Sequence, residues 1–329
     1  KDALLEPRFD PADFKRIKKQ IIEGLKSQKT NPSIMARKAW GKIMYEGTIL
    51  SDYYYGNYKS LSKIDLDDVK SFYNTYYSPN ISTLVVSGDI SKEDAISKLG
   101  FLKEWKNTNV TVPTIPDLKM PEKTTVYLID KERAAQSTIM AGHPSRKYDY
   151  NGDYYKSTVM NFALGGAFNS RVNLNLREDK GYTYGARTNF SGSKNYGVYM
   201  FSSEIKKEAT DSAIIELMKE INGYVSGGIT EEELRFTKSS ITLSEALDYE
   251  TPFQKLNFLS NIVENDLPKN FTIEQSKIVN SLSIEEVNAL AKSSLKPDNM
   301  VIIVVGHAYK IREGLNKLGY GKVVEMSVD

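Results

Sequence analysis

The apolar and polar positions along the chain read as helices leading into a strand, twice over. After Asp10-Pro11, a cap followed by a proline in the first turn, Phe14, Ile17, Ile21 and Leu25 recur at helical spacing. They are expected to form the buried stripe of a helix, with Lys15, Arg16, Lys19 and Glu23 falling away from it. Asn31-Pro32 breaks this helix. A second runs from about Ser33 to Tyr45, with Ile34, Ala39, Trp40, Ile43 and Met44 as its apolar positions. Residues 46–60 read as a tyrosine-rich loop. A capped helix at about Asp65–Tyr76, a strand at Ser82–Ser87 and a helix at Lys92–Leu99 follow. Residues 105–122 hold three prolines and little periodicity, and are expected to be a linker.

Beyond the linker the pattern predicts strands at Thr125–Asp130 and Gln136–Gly142, then a long helix at Tyr150–Leu164. Two strands, Tyr184–Phe190 and Tyr196–Ser202, are joined by SGSKN. Helices are expected over Ala209–Ser226, ended by Gly227-Gly228, and over Thr230–Tyr249, where Thr230 and Glu233 make a capping box. Helices from Pro252 to Asn265 and over Ser283–Ser294, and a strand at Met300–Val305, close the reading. The fold class is α+β, with sheets covered on one face by helices.

The chain repeats itself. Val69, Pro79 and Gly88 recur 218 positions later as Val287, Pro297 and Gly306; Phe14, Lys18 and Pro32 recur 220 positions later as Leu234, Lys238 and Pro252. A period this long means a duplicated domain rather than a solenoid. The second unit opens near Thr124, more than a hundred residues before Thr230. The first unit's counterpart of that half is expected upstream of Lys1, so the chain reads as one and a half units: 1–104, a linker at 105–122, and a complete unit at 123–329.

The densest chemistry lies in LGGAFNSRVNLNLREDKGYTYGA, residues 164–186. Gly165-Gly166 is expected to end a helix in left-handed geometry. A second helical turn follows, with Val172, Leu174 and Leu176 as candidate core residues. Arg177 stands where helix gives way to loop, with a planar fork of donors. Tyr182 and Tyr184, two apart, point to the same face of an extended segment. Arg177 and Tyr184 together suit a carbonyl oxygen or a peptide carboxylate. The competing reading is an ion pair of Arg177 with Glu178 or Asp179, with both tyrosines packed as strand residues.

LGG-x-F-x-SR followed by LRE-x-KGYTYGA closely resembles the C-terminal-domain signature of the pitrilysin/insulinase/mitochondrial processing peptidase family, the M16 zinc metallopeptidases, and the resemblance extends over essentially the whole chain. It implies a zinc-dependent endopeptidase acting on peptides or unfolded segments enclosed between two halves. It also implies that Arg177 and Tyr184 bind the substrate backbone, with Tyr182 secondary. The family's inverted zinc motif, His-x-x-Glu-His, is absent: the two histidines, His143 and His307, stand alone and read as structural or surface residues. The resemblance offers one further ligand, a glutamate on the following helix, which maps onto Glu23; the repeat puts Leu243 at the matching place. A carboxylate beside two histidines is an accepted zinc set, so Zn2+ is expected in a full-length enzyme and not in this chain alone. The expected partners are a peptide and either the missing N-terminal half or a second M16 subunit, as a homo- or heterodimer. A non-catalytic partner or assembly subunit is the rival reading. Bacterial members are often extracytoplasmic, which favours that compartment.

Composition narrows the rest. Lys+Arg 44 against Asp+Glu 42 leaves a net charge of +2, so nucleic-acid binding has no electrostatic support. With no cysteine, disulfides and thiolate metal sites are excluded. No apolar run approaches the roughly 20 residues a membrane span needs.

Overall fold

A computed structural model describes residues 1–245 and 249–328. The polypeptide forms two compact units that are not contiguous in sequence. The first comprises Lys1–Lys26, Tyr55–Thr114 and Ser244–Lys269; the second comprises Ser27–Tyr54, Ile115–Leu243 and Asn270–Asp329. The proline-rich segment 105–122 contains one crossing between them, at Thr114/Ile115. Residues 27–54 and 244–269 have each joined the unit that the other repeat heads.

Numbering helices of seven residues or more, the first unit holds α1 (Pro11–Gln28), α3 (Leu66–Tyr76), α4 (Lys92–Lys98) and α8 (Pro252–Glu264). Asp65 caps α3 in a reciprocal box with Asp68, and Thr251 caps α8 with Gln254. The expected stripe of α1 is only partly buried: Leu25 is buried, while Ile17 is exposed. Residues 82–87 lie in no helix or strand and are not paired into a sheet. Their β-branched and apolar composition suits a strand, but a strand needs a neighbour to take its backbone groups, and all strands among the described residues lie in the second unit.

That second unit is built on one mixed sheet of β1 (Thr125–Asp130), β2 (Gln136–Ser145), β3 (Thr183–Gly192), β4 (Gly197–Lys206), β5 (Val301–Gly306) and β6 (Val324–Glu325), in the order β3-β4-β2-β5-β1-β6. β5 is central, parallel to β1 and antiparallel to β2, with Val301–Gly306 buried throughout. One face is covered by α5 (Asp153–Asn161), α6 (Thr210–Gly227), α7 (Glu231–Glu245), α9 (Phe271–Ser281), α10 (Ile284–Ser294) and α11 (Ala308–Asn316). The other face is not open: α2 (Pro32–Met44) lies on it, burying Met35, Ala36, Ala39, Trp40 and Met44 against Ile129, Met140, Ile303 and Val305. Each large side chain so buried contributes about 1.5–3 kcal/mol, which explains why α2 belongs to this unit.

The helices α9 and α11 have no counterpart in the periodicity reading. Thr230–Tyr249 is helical to Glu245, and the last part of that expectation lies outside the described residues.

Candidate functional site

The segment after α5 leaves regular helix geometry twice. Phe162–Gly166 and Leu174–Asp179 are both π-helical turns, a form that recurs at functional sites. Gly165 is not left-handed, contrary to the sequence expectation. It is glycine for space: a Cβ there would sit 2.1 Å from the Thr188 hydroxyl and 2.9 Å from the Thr188 backbone nitrogen. The helix thus presses directly onto β3. The left-handed residue in this stretch is Gly181 (φ 62°), which turns the chain from the second π turn into β3. Val172 and Leu176 are core residues; Leu174, expected beside them, is exposed because the π turn rotates it outward.

Arg177 lies in the second π turn. Its guanidinium stacks 4.5 Å over the Phe168 ring, which is itself exposed. Nη1 lies 3.1 Å from Glu178 Oε1, so the expected ion pair is present. Nη1 nevertheless makes no hydrogen bond although the atom is buried, and Glu178 is half-exposed. Nη1 is thus closed in beside Glu178, and it is the remaining, roughly one-third exposed part of the Arg177 side chain that can meet a further oxygen.

Tyr182 and Tyr184 do not share a face. Thr183 pairs with Ile205 and Ala186 with Ser203, so Tyr184 and Gly185 together oppose Glu204 in a bulge. A bulge re-aims side chains. Tyr182 packs against the core, while Tyr184 is 91% exposed. Hydrogen bonds pin the bulge: Thr183 Oγ1 donates to Glu204 O, and Ser203 Oγ donates to Gly185 O.

Three asparagines that the sequence pattern did not single out organise the site. Buried Asn173 donates to Phe168 O at 2.7 Å and accepts from the Ala186 amide at 2.9 Å. One side chain therefore ties the platform under Arg177 to the strand that carries Tyr184. Asn161 donates to Thr188 O and accepts from the Thr188 hydroxyl. Asn175 donates to Glu216 and Glu220 on α6. Polar amides inside apolar helical runs were the available signal. With Tyr154, whose hydroxyl donates to Phe190 O, Asn161 and Asn173 also take Thr188 O and Ala186 N on the outer edge of β3, against which the backbone at Gly165 is pressed. That edge is closed to an added strand, so the contacts on offer here are side chains: Arg177, Phe168 and Tyr184.

The other arginine of the motif is structural. Arg171 holds Glu233 through two parallel bonds, donates to Gly228 O at 2.8 Å and stacks on Tyr224. Burial works to raise the Glu233 carboxyl, but the Arg171 pair and the Thr230 amide outweigh it and hold it lowered. Glu233 also completes the expected capping box with Thr230.

Glu23 belongs to the first unit and Arg177, Tyr182 and Tyr184 to the second. Glu23 is exposed on α1, 3.8 Å from Lys19. Among the described residues no three His, Asp or Glu side chains are grouped to hold a metal ion. The described residues therefore do not by themselves make a zinc site. His143 is buried: its Nε2 accepts from the Lys296 amide, which leaves the proton on Nδ1 to donate to Pro144 O. Burial lowers its pKa to about 4. No helix among the described residues is long and apolar enough to cross a membrane.

A family model described as the peptidase M16 inactive domain matches residues 63–241, more than half of the chain. The "Non-peptidase homolog YmxG" of Helicobacter pylori is 24% identical over 316 residues, covering 94% of this chain and 71% of that protein. The "Uncharacterized zinc protease YmxG" of Bacillus subtilis is 23% identical over 306 residues, covering 92% and 73%. The solved peptidase M16 inactive domain from Pseudomonas fluorescens has the same fold, with a TM-score of 0.83 at 23% identity over 92% of this chain and 72% of that one.

Proposed function

The chain belongs to the peptidase M16 family, and on that premise we propose that it is a peptide-holding, non-hydrolysing part of an M16-type peptidase assembly. The observation that carries this reading is the Arg177 guanidinium: stacked on Phe168 and about one-third exposed, on the scaffold that presents Tyr184. A carbonyl or terminal carboxylate of a peptide can accept from its exposed part, and Arg177 suits such planar recognition. Tyr184 adds a hydroxyl and an aromatic face. The closed edge of β3 favours side-chain capture over strand addition at this place.

Hydrolysis in such an assembly falls to groups that this chain lacks. Among its relatives, one is named a zinc protease and another a non-peptidase homolog. Glu23 is the one residue here that the family pattern offers as a zinc ligand, and its exposure leaves it accessible to donors from another polypeptide.

The second reading is an assembly subunit that binds no peptide. The non-peptidase name of one relative favours it. Fluorescence anisotropy with labelled unstructured peptides separates the two: saturable binding that weakens at least tenfold in Arg177→Ala supports the first, and no saturable binding to the folded protein leaves the second.

A further inference from the structure

The second π turn, which carries Arg177, is closed by the Lys180 amide donating to Asn175 O at 2.9 Å, a bond between residues five apart. A single side chain from α6 holds both of those residues. Glu216 Oε2 accepts from Asn175 Nδ2 at 2.9 Å, and Glu216 Oε1 lies 3.3 Å from Lys180 Nζ. The two ends that the backbone bond joins are therefore joined a second time, through one carboxylate. Lys219 also reaches Glu216, at 3.4 Å, but it stands on the same helix and ties nothing to the turn.

These contacts are sheltered. Asn175 is buried, and the Glu216 side chain is 15% exposed. Asn175 Nδ2 also donates to Glu220 Oε1 at 2.6 Å, one turn further along α6, while Asn175 Oδ1 is buried without a partner. Two carboxylates thus decide which way the amide faces, and its oxygen goes unsatisfied in consequence. The Asn175 amide, ahead of Lys180 and Lys219, holds the Glu216 carboxyl lowered although burial opposes it, so the ionised form makes both contacts. A π turn is a rare form, wider than the α-helix by the reach of its closing bond. Its collapse to α geometry would swing Arg177 about the helix axis by up to about 100°. That swing takes the guanidinium off the Phe168 ring, over which it now stacks at 4.5 Å.

We infer that Glu216 is a positioning residue: it clamps the second π turn at both ends and so keeps Arg177 stacked on Phe168. The clamp stands on the geometry of the turn alone. Its consequence for binding rests on the peptide-holding reading, because only an Arg177 held in place is ready to meet a peptide oxygen without first paying to be ordered.

The test reads the Arg177 side chain by NMR in the full chain, with arginine isotopically labelled and the Arg177 signals assigned through Arg177→Lys. Protons held over an aromatic face are shifted upfield, so the Arg177 side-chain protons are expected upfield of their place in Phe168→Leu. In Glu216→Ala most of that shift is expected to vanish while the protein still melts cooperatively. Affinity for a labelled unstructured peptide is expected to fall about tenfold, as for the loss of one charge-assisted bond. Lys180→Met opens one end of the clamp, and Glu216→Gln keeps an acceptor for Asn175. Both are expected to lie between the parent and Glu216→Ala, and they carry the test should Glu216→Ala not fold. A Glu216 that merely stabilises the fold lowers the melting temperature and leaves the shift in place. The full upfield shift in folded Glu216→Ala, or in both milder variants if that protein does not fold, therefore overturns the clamp. Loss of the shift with unchanged peptide affinity supports the clamp and overturns the peptide-holding reading instead.

Discussion

Lys18 and Lys238 make the same bond in the two repeats: Lys18 Nζ donates to Ser62 O at 3.0 Å, and Lys238 Nζ donates to Asn280 O at 2.8 Å. Donor and acceptor are each displaced by the repeat offset, 220 for the lysines and 218 for the carbonyls, so a tertiary contact has been duplicated along with the helices. Both bonds are solvent-accessible, which reduces a charge-assisted bond of about 1.5–3 kcal/mol to about 1. Lys18→Met is expected to lower the melting temperature of the first unit, and Lys238→Met that of the second, by about 2–4 °C each. Calorimetry checks whether the two substitutions move different transitions.

The duplication was legible because it rests on strong local signals: Pro32 and Pro252 at helix starts, the capping boxes at Asp65 and Ser283, and apolar runs that end at Gly88 and Gly306. Pattern could not say whether Ser82–Ser87 is paired, since pairing is a property of neighbours and not of the segment. It likewise placed Tyr182 and Tyr184 on one face, because a bulge opposite Glu204 leaves no mark on the alternation of residue types. Arg177 was found through its motif, whereas the structural role of Arg171 was not legible, since only the position of Glu233 across the fold reveals it.

Asn173 is expected to be the most sensitive polar residue of the site. Asn173→Asp keeps the acceptor for the Ala186 amide but cannot donate to Phe168 O, and it buries a charge. A loss of about 2–4 kcal/mol follows from the lost bond and the uncompensated carboxylate. Urea denaturation measures it, and hydrogen exchange at the Ala186 amide reports whether the bulge has loosened. An Asn173→Asp protein as stable as the parent contradicts the tie between Phe168 and β3.

His143 gives the second unit an acid-sensitive stability. The folded pKa of about 4 lies below the ordinary value of 6.5, so the unfolded chain binds more protons between those values. Stability is therefore fully present above about pH 6.5 and is lost as pH falls towards 4. The maximum loss is about 3 kcal/mol at about 1.4 kcal/mol per unit. His143→Gln is expected to be less stable at pH 8, since the Lys296 and Pro144 contacts change, but to lack this slope. Unfolding free energies at pH 7.5, 6 and 5 for both proteins decide it; equal slopes assign the acid sensitivity to other groups.

Zinc binding to this chain alone is expected to be weak and without fixed stoichiometry, since the described residues hold no cluster of three metal-ligating side chains around Glu23 or elsewhere. Isothermal calorimetry with zinc chloride tests this, with Glu23→Ala as the control. Tight one-to-one binding abolished by Glu23→Ala would show that donors are assembled around Glu23 in solution.

Arg177 and Tyr184 carry the functional proposal, and the two readings of Arg177 diverge in what its removal does. If the exposed part of the guanidinium binds a peptide oxygen, Arg177→Ala loses a charge-assisted bond of about 1.5–3 kcal/mol, or about ten- to a hundredfold in peptide affinity. In an assembly that hydrolyses peptides, the same loss appears in kcat/KM. Arg177→Lys is not expected to restore it, because an ammonium cannot reproduce the planar fork or its stacking on Phe168. Tyr184→Phe removes only a hydroxyl from a 91% exposed ring, so it leaves folding intact, and any fall in affinity reports direct contact. If Arg177 serves only Glu178 and Phe168, Arg177→Ala instead lowers the melting temperature and leaves the affinity of the folded protein unchanged, and Tyr184→Phe changes neither. Anisotropy and melting curves on the same preparations of the three variants therefore separate a peptide grip from a structural corner, and unchanged affinity in all three ends the peptide-holding assignment.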